Sequence, residues 1–346
     1  MLRNPKILLV LIVSVAVFIV ALAGGALGNA FSGGFLGAPL PAISLPAESV
    51  TSEPVFGGFH ITNTMIATWL AIIVLLAFTL MVRRKLSEVP GRLQGMIELV
   101  MEFFLGLTES VAGPERGARF FPLVMTIFIF IVVANWMGIL PGFGTIGRIE
   151  SVEEDVHHLE KEGGVDMTRE KVNIFDGDGS VGILSFGSID DQLTLAELEE
   201  QGAGEGKQAG ILIPFLRSAN TDINMTLAIA LVAMFMVHMW ALRALGVFGH
   251  LGKFINFKGG PIGLFVGVLE AISEVAKIIS FTFRLFGNMF AGEVLLVAMA
   301  FLLPIIGIIP FLGLELFVGV IQAFIFAMLI LVFAASATVS HQAEGH

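Results

Sequence analysis

Six apolar stretches decide what this chain can become. They lie at about 7–23, 62–82, 120–140, 223–242, 261–303 and 311–339, and a hydrocarbon core of ~30 Å takes about 20 helical residues to cross. In lipid every backbone N–H and C=O must be satisfied within the protein, so runs of this length fold as helices. The fifth stretch is about twice the length needed and must be strongly tilted, broken or a hairpin. Only 14% of the residues are charged and 56% are hydrophobic, which excludes an ordinary soluble domain. The fold expected is an all-α polytopic membrane protein.

Basic residues set the orientation, because Lys and Arg accumulate on the inner side. Arg3 and Lys6 precede the first stretch, and no further cation occurs before Arg83, Arg84 and Lys85. Residues 25–60 are therefore expected outside. Arg92, Arg116 and Arg119 put the next connection inside, and the acidic connection from about 148 to 215 lies outside again. Arg243, Lys253 and Lys258 return the chain to the cytoplasm. Two more crossings leave the C-terminus cytoplasmic.

Between the second and third stretches, residues 92–111 have another pattern. Glu98, Glu102 and Glu109 fall on one side of a helix, while Leu99, Phe103, Phe104 and Leu107 lie mostly on the other. That pattern predicts an amphipathic helix lying in the inner interface, with a soluble loop helix as the plainer alternative. Residues 1–24 fit either a signal peptide or an uncleaved extra helix. Residues 61–147 then hold the first spans and 216–346 the last ones.

Several chemistries drop out at once. The chain has no cysteine, so thiolate metal sites, disulfides and cysteine nucleophiles are absent. A net charge of −10 disfavours nucleic acid. Asp176-Gly-Asp178-Gly-Ser180 resembles the start of a calcium loop, but Val181 and Gly187 stand where that loop needs Gly and Glu. His157-His158 has no further ligand at metal spacing. No metal or cofactor is expected. His60, His238, His250 and His341 are scattered singly and do not form a hydrolase motif. A secondary transporter would carry a repeated discontinuous helix, and no second copy of the long stretch is present.

Within the long stretch, "SFTFRLFGNMFAGE" (280–293) sets Arg284 among phenylalanines and leucines. An arginine at mid-bilayer costs roughly 2.5–3.5 kcal/mol on insertion scales. At about 100° per residue, Glu270, Ser273, Lys277, Ser280 and Asn288 lie within about 40° of Arg284, and Glu293 points the opposite way. Lys277 has acids at hand in Glu270 or Glu274, so those three alone are also explained as an ion pair joining helices. Arg284 has no well-placed acid on its own helix, which implies a counter-charge on another chain or a water-filled cavity. The last stretch carries Glu315 and Gln322, seven residues apart and on one face.

The segment "RLFGNMFAGE" resembles the signature of the membrane stator subunit a of F-type ATP synthases. "VPGRLQGMIELVMEF" (89–103), "FFPLVMTIFIFIVVANWMGILPG" (120–142), "ANTDINMTLAIAL" (219–231) and "IQAFIFAML" (321–329) are similar to the family's other motifs, in the same order. The resemblance covers about 57–142 and 215–342. It implies a non-catalytic proton-channel subunit of a bacterial cell membrane, with a long tilted hairpin (261–340) facing a rotor ring of c subunits. Peripheral-stalk b subunits and the bilayer are the other implied partners.

On the same resemblance, Arg284 faces the mid-membrane carboxylates of the ring and separates two aqueous half-channels. Asn288, Glu293, Glu315 and Gln322 are assigned to the outer half-channel, and Glu270, Glu274 and Lys277 to the inner one. Gly287 and Gly292 are expected to let the ring approach closely. Many family members combine one Glu with one His where this sequence has Glu293 and Glu315. The region 148–208, with sixteen Asp and Glu, is longer than the family's usual connection and is expected as an accessory lobe or a partly disordered loop.

Overall fold

The architecture comes from a computed structural model that describes residues 12–17, 19–20, 45–51, 54–55, 57–84, 86–151, 171–176, 181–183, 192–202, 207–254, 260–303 and 307–339. Most of the first apolar stretch, His157-His158 and the tail 340–346 lie outside the described residues, although 12–17 and 19–20 are helical.

The remaining five apolar stretches are helices: α1 (Asn63–Arg84), α3 (Pro114–Met137), α5 (Ile223–Phe254), α6 (Gly260–Leu302) and α7 (Ile308–Ala337). All five are long and apolar enough to cross a membrane. Between α1 and α3 lies α2 (Arg92–Ala112), the amphipathic helix expected at 92–111. Its buried stripe is Phe104, Thr108 and Ala112 at i, i+4 and i+8, while Leu93, Met96, Leu99 and Phe103 stay exposed. The fifth stretch is one helix of 43 residues, neither broken nor itself a hairpin, and the sixth is a helix of 30. The fold is thus an all-α polytopic membrane protein in its apolar part.

Helix boundaries have local causes. Asp222 caps α5: its carboxylate accepts the backbone N–H of Asn224 at 2.9 Å, satisfying a donor that the first turn leaves unpaired. Thr226 turns its hydroxyl back onto the first-turn carbonyl of Ile223 at 3.1 Å. The D-x-N-x-T spacing is therefore helix-start chemistry. Gly113 closes α2 at φ 81°, a conformation costly for a residue with a Cβ, and Pro114 opens α3 where its missing N–H costs nothing.

The chain packs as two units, 1–67 with 137–218 and 291–316, and 68–136 with 219–290 and 317–346. The second has a helical core. Val124 and Ile131 of α3, Ala230 and Ala233 of α5, Leu285 of α6 and Phe326 of α7 are among its fully buried residues. Alanines at 230, 233, 323 and 327 let the backbones approach closely, which is how helices associate where lipid removes the hydrophobic drive. A buried ladder crosses this core. Asn220 donates to the Asn135 side-chain oxygen at 2.6 Å, and Asn135 donates to the Gly319 carbonyl at 3.2 Å.

The first unit holds the acidic insertion, where the chain turns to β-structure. Strands β1 (Ile146–Ser151), β2 (Lys171–Asp176), β3 (Val181–Ile183), β4 (Gln192–Thr194) and β5 (Lys207–Pro214) form one antiparallel sheet ordered β3-β1-β5-β2-β4, with a short helix α4 (Leu195–Gln201) after β4. Val172, Phe175, Leu195 and Leu212 are buried. In β1, Gly147 sits so close to the Ile213 carbonyl that no Cβ would fit. Of the two expectations for this region, the accessory lobe is the one that accounts for its described residues.

Candidate functional site

Arg284 lies midway along α6 and is half-buried. It donates to the Ser280 hydroxyl one turn back at 3.4 Å, and among the described residues it makes no ion pair. A cavity of about 250 Å³ opens beside it, lined by Ser273, Lys277, Ser280, Arg284, Leu329 and Phe333 among others. Three members of the expected polar stripe thus reach one space together with the arginine. The cavity is large enough for several waters, each occupying about 30 Å³.

Lys277 is held by two contacts. Its ammonium donates to Glu274 at 2.7 Å and sits 4.9 Å from the centre of the Phe333 ring, a cation–π contact. Lys277 and Glu274 do form an ion pair, but within α6 itself rather than between helices. Glu274 also faces His238, whose Nε2 is 3.7 Å away. Glu270 is half-buried one turn earlier on α6. In the same unit Asn288 donates to the Gln322 side-chain oxygen at 2.8 Å, joining α6 to α7.

The two remaining carboxylates sit in the first unit. Glu315 is buried, and its carboxylate lies where a Cβ of Gly292 would stand. The expectation that Gly292 makes room for a partner ring is thus corrected: the space is taken by this chain's own Glu315. Gly287 does have open space around it. Glu293 meets Arg217, a residue the sequence reading passed over. The Arg217 guanidinium is 5% exposed and donates to Glu293 through Nε at 3.0 Å and through Nη2 at 3.2 Å. Its Nη1 donates to the Pro46 carbonyl at 3.1 Å.

Glu48 completes this cluster. It accepts from the Asn63 side chain at 3.2 Å at the start of α1. Burial pushes its carboxyl above the usual carboxylate range; Arg217 pulls it back, and Glu293 pushes it up again. The signal for Arg217 was available in the sequence: an arginine three residues after the apolar strand segment "ILIP" and five before the α5 cap. It was missed because it falls just outside an apolar crossing.

Of the residues expected at the outer half-channel, Asn288 and Gln322 are joined in one unit, while in the other Glu293 meets Arg217 and Glu315 lies against Gly292 of α6. Of those expected at the inner one, Glu274 and Lys277 are directly bonded. Among the described residues no group of three His, Asp or Glu is arranged to hold a metal ion.

The family description that matches is "ATP synthase A chain", over residues 65–335. The chain is similar to proteins named ATP synthase subunit a. That of Desulforamulus reducens is 28% identical over 293 residues, covering 82% of each chain. That of Moorella thermoacetica is 26% identical, covering 82% of this chain and 94% of the relative. That of Mycobacterium tuberculosis is 29% identical over 281 residues, covering 80% and 86%.

Proposed function

The chain belongs to the ATP synthase A chain family, and from that premise we propose that Arg284 couples proton passage through this subunit to rotation of a neighbouring c-ring. The observation that carries the proposal is the state of its charge. Arg284 borders a cavity and has no carboxylate within ion-pair reach among the described residues, whereas Lys277 and Arg217 are both bonded to acids. A half-buried cation on a membrane-length helix without a counter-charge is unstable unless water or another chain supplies one. A ring carboxylate arriving from a c subunit is that counter-charge.

The chemistry follows from residue type. Guanidinium stays protonated at any physiological pH. It favours the ionised form of an arriving carboxylic acid, so the proton leaves on one side, and it cannot itself take up and release that proton. It therefore blocks direct leakage between two aqueous paths. The outer path draws on Glu293, Glu315, Gln322 and Asn288, and the inner on Glu270, Glu274 and Lys277. The subunit makes and breaks no covalent substrate bond; the synthase as a whole does that elsewhere. In this reading the protein is a multi-pass subunit of a bacterial cell membrane, with the lobe of residues 148–215 outside and the C-terminus cytoplasmic. The 261–340 hairpin faces the ring, and the b subunits hold the stator.

The test is ATP-driven proton uptake by vesicles carrying the complete complex. Arg284→Ala is expected to abolish pumping, while passive leak through the membrane sector persists or rises. Normal pumping by that variant overturns the reading.

A further inference from the structure

Two histidines that stand apart in the sequence meet in the fold. His238 and His250 are twelve residues apart on α5, which along a straight helix is about 18 Å. Their ring centres are 5.3 Å apart. The chain manages this at Gly246, whose φ of 72° and ψ of 168° break the helix. That backbone region is essentially open to glycine alone. Beyond the break the chain folds back and lays His250 against His238, with Phe254 edge-on to the His250 ring at 5.5 Å.

The pair is tied to the Arg284 cavity by two contacts. His238 Nε2 faces Glu274 Oε2 at 3.7 Å, and Glu274 Oε1 accepts from Lys277, which lines the cavity. Three polar atoms along this line are buried without a hydrogen-bond partner among the described residues: His238 Nδ1, His250 Nδ1 and Glu274 Oε2. His250 is only 6% exposed. Buried polar atoms left unsatisfied cost stability, so three in a row need a purpose or a water. Lys253, which donates to the Ala337 carbonyl at 2.9 Å, and Glu270 are the other charges that act on this corner.

We propose that the His238–His250 pair carries protons between Glu274 and the inner aqueous phase, as the outermost link of the inner half-channel. This rests on the reading that protons cross the membrane through this chain. Imidazole is suited to the task because its unperturbed pKa is about 6.5. A proton arriving at Glu274 passes to His238 Nε2, giving an imidazolium. The Nδ1 proton then passes to His250 and on to water of the inner phase, which leaves His238 a neutral imidazole in the other tautomer, and the ring resets by flipping or by tautomerising. Two imidazolium rings this close repel each other, and Lys277 and Lys253 add to the repulsion. The pair therefore carries one proton at a time.

The experiment uses the complete synthase in vesicles and measures proton uptake and passive flux against pH on the inner-loop side, for His238→Ala, His250→Ala and their double variant. Flux is expected to fall on the order of 10²-fold in the double variant, the low end for removing a positioned proton-transfer group. Its pH profile should also differ from that of wild type. Added free imidazole should restore a measurable part of the flux, which a merely structural role for the two rings does not predict. Wild-type flux with an unchanged pH profile in the double variant overturns the relay. Loss of flux without imidazole rescue, together with a lowered melting temperature, also overturns it in favour of packing. Arg284→Ala, run in parallel, separates the two readings: if it abolishes pumping while the histidine variants run normally, only the relay fails. If Arg284→Ala pumps normally, the coupling proposal fails.

Discussion

Arg217 and Arg284 are the same side chain in two different conditions. Arg217 is 5% exposed and gives its hydrogen bonds to Glu293 and the Pro46 carbonyl. Arg284 has one long bond to a serine on its own helix and a cavity beside it. Both sit in chain segments where a guanidinium is expensive to desolvate. The first is compensated inside its own chain and acts as a clamp. The second has no ion pair among the described residues, which is what the proposed coupling role requires. The lesson is that charge in an apolar region does not mark function by itself; the absence of an internal partner does.

The strongest way to break this contrast is a conservative change at Arg284. Arg284→Lys keeps the charge but replaces a planar, permanently protonated group with a flexible ammonium that can lose its proton when desolvated. ATP-driven proton uptake is expected to be lost nearly as fully as in the alanine variant. If lysine supports wild-type pumping, the fixed guanidinium is not what the site needs.

Arg217→Ala should act on stability instead. It strips the partner from Glu293, whose side chain is 31% exposed, so a loss of about 2–3 kcal/mol is expected, below the 3–5 kcal/mol of a fully buried pair. Thermal melting of the purified complex reads this, and Glu293→Gln added to Arg217→Ala should recover part of it. Arg284→Ala, in the same assay, should stay within about 0.5 kcal/mol of wild type. Equal losses in the two alanine variants would dissolve the distinction between clamp and coupling residue.

A smaller effect sharpens the geometry around Glu293. Gly292→Ala puts a methyl group where the Glu315 carboxylate sits, and overpacking of this kind costs about 1–3 kcal/mol. Melting temperature and proton flux should fall together, because the displaced group is one of the proposed proton carriers. Smallest of all, Asp222→Ala removes the α5 cap and should cost about 1 kcal/mol with coupling intact; loss of pumping there would mean that the D-x-N-x-T motif does more than start a helix.

The helices were readable because lipid imposes a simple condition. A run of about 20 apolar residues can satisfy its backbone only as a helix, so the spans and the amphipathic α2 followed from hydropathy and side-chain periodicity alone. The unexpected part of α5 lies beyond residue 242, where the chain is helical to Phe254 with a break at Gly246. Hydropathy has no term for a single positive φ. The β-sheet in the insertion was equally hidden, since strands β3 and β4 have three residues each and depend on pairing with distant segments rather than on any local pattern.

The sequence by itself determined the class of the protein, the helical hairpin and the polar stripe that carries Arg284, because each is a matter of spacing along one helix. Tertiary structure alone decided which charges are already spent. That Arg217 reaches Glu293 across 76 residues, that Glu315 fills the space over Gly292, and that His250 folds back onto His238 are outcomes of packing between elements. Such contacts have no signature in periodicity. They arise because a buried polar group must find a partner wherever the fold brings one within about 3 Å.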